Sequence, residues 1–76
     1  MAASLKLDLT QHISFMGLLL CKKELDRMNP GSILEVTLDN MILADDLTKI
    51  VDRSPDEIVD RLRDGELFTI SILKGE

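Results

Sequence analysis

The sequence predicts an α/β fold, with strands and helices taking turns along a single small domain, residues 1–76. Three observations predict it. Apolar residues recur at every second position in residues 4–9, 32–39 and 68–74, the period of a half-buried strand. They recur at helical spacing in residues 15–28 and 42–53. Turn-forming residues, Asn29-Pro30-Gly31 above all, separate the two kinds of stretch.

The first strand places Leu5, Leu7 and Leu9 on one side and Lys6 and Asp8 on the other. In the first helix, stepping 100° per residue gathers Gly17, Leu18, Cys21, Leu25 and Met28 within an arc of about 100°, the stripe of a surface helix. Lys22, Lys23, Glu24, Asp26 and Arg27 fall outside it. The second strand turns Leu34, Val36 and Leu38 inward and Glu35 and Thr37 outward. The second helix shares Leu43, Ala44, Leu47, Ile50 and Val51 on one face and leaves Asp45, Asp46, Lys49, Asp52 and Arg53 to solvent. The last strand alternates Phe68, Ile70 and Ile72 with Thr69 and Ser71.

Residues 54–65 (SPDEIVDRLRDG) carry two conflicting signals. Ser54, Pro55 and Glu57 form a helix start with a capping box, and Ile58 and Leu62 have the spacing of a helix face. Against that, Asp64-Gly65 is a hairpin signal that would join a strand at residues 57–63 to the last one. Local propensity by itself favours the helix.

Bulk composition bounds the function. The chain has 76 residues, 45% of them hydrophobic and 30% charged, the balance of a folded domain. A domain this small buries only about 60–65% of its unfolded surface, and one cysteine cannot form a disulfide within the chain. A net charge of −5 and only two aromatics, Phe15 and Phe68, argue against nucleic-acid binding, which needs clustered cations and stacking surfaces. The longest apolar run, residues 15–21, is far short of the roughly 20 residues of a membrane span. No basic region followed by an apolar core opens the chain, so a cytoplasmic protein is expected.

Taken in order, these pieces, with Met28-Asn29-Pro30-Gly31, Asp39-Asn40, Asp46-Leu47 and the terminal ISILKG, resemble the TusA-like (also called SirA-like) sulfur-carrier family over essentially the whole chain. The resemblance implies a two-layer β-α-β-α-β-β sandwich, with two helices on one face of a four-stranded mixed sheet. It makes residues 58–63 a strand, against the local signal. The family's chemistry belongs to Cys-Pro-x-Pro at the start of the first helix, where the cysteine carries a persulfide. In register, that motif falls on Ser14-Phe15-Met16-Gly17, so the cysteine and both prolines are absent, and Gln11 stands where the family usually has Gly.

Cys21 is the only other sulfur nucleophile to consider. It lies two turns from Ser14, roughly 10 Å along the helix axis. Its place in the apolar stripe makes it core filler: Lys22 and Lys23 project about 100° and 200° away, and apolar burial raises a thiol's pKa. Ser14 reads as a helix cap; as a nucleophile it would need a base, and His12 has no orienting acid beside it. His12 itself reads as a loop residue titrating in solvent. One His and one Cys at this spacing make no zinc site, and Asp45, Asp46 and Asp52 read as a solvated helix face. No metal and no cofactor is expected.

Phe15, Met16, Leu19 and Leu20 point away from the packed stripe, around the position where the family presents its cysteine. Either the loop after the first strand covers them, or they form an exposed contact patch. The expectation is a non-catalytic interaction or accessory module related to sulfur metabolism, not an enzyme. Its partner would be a protein, with neither nucleic acid nor membrane involved, and its state a monomer or weak oligomer. The alternatives are a sulfurtransferase working through Cys21 after local opening, or a regulatory ligand-binding domain.

Overall fold

Every second residue of the two central strands faces a common core, and that alternation organises the rest of the chain. The structure is a computed structural model and describes residues 4–10 and 15–76. The elements are β1 (Ser4–Asp8), α1 (Phe15–Arg27), β2 (Ile33–Leu38), α2 (Met41–Asp52), β3 (Glu57–Asp64) and β4 (Leu67–Leu73). They form the β-α-β-α-β-β sandwich with a single four-stranded mixed sheet, in the order β1-β2-β4-β3.

β1 and β2 are parallel, a pairing that needs a crossover, and α1 supplies it. β4 lies antiparallel to both β2 and β3. Leu34, Val36 and Leu38 of β2 stand opposite Ile72, Ile70 and Phe68 of β4, so both central strands turn an apolar face the same way. Against that face pack Leu18, Cys21, Leu25 and Met28 from α1, and Leu43, Ala44, Leu47 and Val51 from α2. Both helical stripes match the spacing of the sequence. The opposite sheet face carries Glu35, Thr37, Thr69 and Ser71, each partly open to solvent.

The contested segment is a strand. Ser54 ends α2 rather than starting another helix: its hydroxyl donates to the Val51 carbonyl (2.8 Å) and accepts from the Asp56 N–H (3.1 Å). β3 then pairs with β4 through a turn at Gly65, whose φ of 63° lies in the left-handed region that glycine tolerates best. Gly31, at φ 89°, makes the same provision in the turn between α1 and β2.

β3 departs from simple alternation. A β-bulge between Ile58 and Asp60 leaves Val59 without a cross-strand partner. Ile58 faces the helices opposite Ile72; beyond the bulge, Arg61 and Arg63 take that side, opposite Ile70 and Phe68. Leu62 is thereby turned outward and exposed.

Candidate functional site at the exit end of the sheet

Parallel strands that each lead into a helix bring both helix starts to one end of the sheet. β1 and β2 run side by side to Asp8 and Leu38, and β4 begins beside Leu38 at Phe68. The starts of α1 and α2 and the β3–β4 turn therefore share this end, the usual place for binding residues in sheets of this kind.

At the start of α1, Met16 is 59% exposed and Leu19 45%. Both lie on the side of the helix opposite Cys21, as a step of 100° per residue requires. Leu20 differs from the sequence expectation: it is half-buried and packs on the core. The angular step puts it on the side of α1 that carries Glu24 and Arg27, which line a shallow groove with Leu5 of β1. Gln11, His12 and Ser14 lie outside the described residues, and so does the side chain of Phe15.

The start of α2 adds apolar surface. Asn40 caps the helix, its Oδ1 accepting from the N–H groups of Ile42 (2.9 Å) and Leu43 (3.2 Å). The two residues after the cap, Met41 and Ile42, are 53% and 73% exposed. Sequence reasoning missed them as surface residues, although helical stepping places them about 120–140° from the centre of the buried stripe. Four exposed apolar side chains thus stand at the two helix starts.

Cys21 lies beneath this surface with 0% exposure. Burial, and secondarily the negative charge of Asp56, push its thiol up to about 12. At neutral pH such a sulfur is a protonated hydrophobe. The adjacent lysines point elsewhere: Lys22 Nζ lies 3.9 Å from Asp26 in a solvent-exposed pair. Asp45 and Asp52 are exposed, Asp46 is half-buried, and among the described residues no group of three or more His, Cys, Asp or Glu side chains is placed to hold a metal ion. No helix among the described residues is long and apolar enough to cross a membrane.

The arrangement offers contact, not thiol chemistry: apolar side chains stand in solvent at the helix starts, and the sulfur is sealed below. Comparison with family models, curated proteins and solved structures found no match for the chain.

Proposed function

We propose that this chain is a protein-interaction module built on the sulfur-carrier plan without a carrier thiol, and that it serves sulfur metabolism by binding a partner protein. The observation that carries the reading is the contrast within α1: Met16 and Leu19 stand in solvent, and Cys21, on the opposite side of the same helix, is fully enclosed. The β-α-β-α-β-β order, with two helices on a four-stranded mixed sheet, is the arrangement the resemblance implies and supports the reading. A partner would bury Met16 and Leu19, with Met41 and Ile42 as further contacts; apolar groups rimmed by charge suit such a surface.

Incubation with a cysteine desulfurase and cysteine, followed by intact-mass measurement, tests the absence of sulfur loading. The expected result is an unchanged mass. A gain of about 32 Da, one sulfur atom, that disappears in Cys21→Ala would overturn the reading in favour of a transferase. A photo-crosslinking residue at position 19 tests the contact itself. It should capture one partner in the wild-type background and lose it when Met16→Glu is added, because a carboxylate stranded in a desolvated contact is costly.

A further inference from the structure

β3 carries two arginines on the side of the sheet that β2 and β4 fill with Leu, Val, Ile and Phe. The bulge at Val59 puts them there. Arg61 pairs across with Ile70 and Arg63 with Phe68, and residues directly opposite share a face. α2 does not close over them. Between Met41, Ala44, Asp45 and Thr48 on the helix and Phe68 and Ile70 on the sheet runs an open cleft of about 280 Å³, with the arginines along its outer wall.

The two guanidinium groups are in different states. Arg63 is engaged: its Nε donates to the Gly65 carbonyl (3.2 Å), and its guanidinium carbon sits 5.2 Å from the centre of the Phe68 ring. Arg61 uses its backbone N–H on the Asp60 carboxylate (2.9 Å), but its guanidinium meets no acceptor among the described residues. Asp45, on the opposite wall, forms no ion pair with either arginine. A chain of net charge −5 therefore holds an unpaired, fork-shaped cation at the mouth of an apolar cleft.

We infer that this cleft binds an amphipathic monoanion, a carboxylate on a short apolar body. A carboxylate matches the paired N–H donors of Arg61, and Arg63, held over the ring, adds a second positive charge. Met41, Ala44, Phe68 and Ile70 take the apolar body. The volume lies just below the usual ~300–1,000 Å³ of small-ligand sites, which favours a short chain. Asp45 selects for a single negative charge, because a second carboxylate on the body would approach it. The site shares Met41 with the surface at the helix starts but uses none of the α1 contacts, and it stands whether or not Met16 and Leu19 bind a protein.

Titration with octanoate, followed by backbone and methyl NMR shifts, tests the site, with octanamide as the neutral probe of the same length. Saturable shifts centred on Met41, Thr48, Phe68 and Ile70 are expected, with octanamide binding about tenfold more weakly. Arg61→Gln should weaken octanoate by about tenfold and leave the unfolding midpoint unchanged, since Arg61 is exposed. Asp45→Asn should tighten it by about twofold or more. Equal affinity for the two probes, undiminished binding by Arg61→Gln, or no saturable shift in the cleft would each overturn the inference.

Discussion

Lys74 and Asp56 lock the end of β4 to the turn that follows α2. The Lys74 Nζ lies 3.9 Å from Asp56 Oδ1, and the same oxygen accepts the Gly75 N–H at 2.9 Å. The side chains are only 17% and 7% exposed, so this pair is far less screened than a surface one. Lys74 also ties in the turn after α1: its N–H donates to the Ser32 carbonyl (2.8 Å), and its carbonyl accepts from Gly31 N–H (2.9 Å). Gly75 has no room for a side chain, because a Cβ there would collide with the Pro55 carbonyl.

Asp56→Ala strands the Lys74 charge in a mostly buried place and leaves the Gly75 N–H without its acceptor. The expected cost is about 3 kcal/mol, read as a lower urea midpoint. Asp56→Asn keeps an oxygen for Gly75 and should cost less. An Asp56→Ala protein as stable as wild type would show that the lock contributes nothing.

The thiol of Cys21 supplies a prediction with a definite sign. Its folded value, about 12, lies above the ordinary 9.0, so the folded state holds this proton more tightly than the unfolded chain does. The resulting stability is complete below pH 9 and is lost as pH rises from about 9 towards 12. Between pH 8 and 10.5, wild type should lose about 2 kcal/mol more stability than Cys21→Ala. Parallel pH profiles for the two proteins would contradict this. Native Cys21 should also react with a thiol reagent at least about tenfold more slowly than in denaturant.

Leu19 and Leu20 are neighbours with different surroundings, and one substitution separates them. Leu19→Glu places a carboxylate in solvent and should cost less than about 1 kcal/mol. Leu20→Glu places it against the core and should cost about 2 kcal/mol or more. Chemical denaturation of both variants checks the pair; equal costs would contradict the packing of Leu20.

Asn40 satisfies two N–H groups that a helix start leaves without partners. Asn40→Ala should destabilise the protein by about 1 kcal/mol, whereas Asn40→Asp should retain most of the cap. Thermal unfolding of the two variants distinguishes them, and an unchanged midpoint for Asn40→Ala would remove the cap from the account.

The spacing of apolar residues determined both helices and three of the four strands, along with the faces they bury. Period is a local property: Leu34, Val36 and Leu38 alternate, and Leu18, Cys21 and Leu25 repeat at helical intervals, whatever they pack against. The burial of Cys21 and the direction of Met16 and Leu19 away from the packed stripe were legible for the same reason; that no described segment covers those two was not. β3 was not legible from spacing, because Ser54, Pro55 and Glu57 make a sound local helix start; the Asp64-Gly65 hairpin signal and the whole-chain resemblance pointed to a strand at residues 58–63, and the ladder with β4 agrees. The bulge at Val59 is likewise a property of pairing. One unpaired residue reverses the sides of everything after it, separating Leu62 from Ile58 and turning Arg61 and Arg63 towards α2. Leu20 packs on a core whose outline its own helix does not encode. The Asp56–Lys74 lock joins residues 18 positions apart in sequence (74 minus 56) and exists only once β4 has docked beside the turn after α2. Sequence periodicity chose which side chains each element buries, and tertiary pairing chose which charged groups would meet the core and which would be left without a partner.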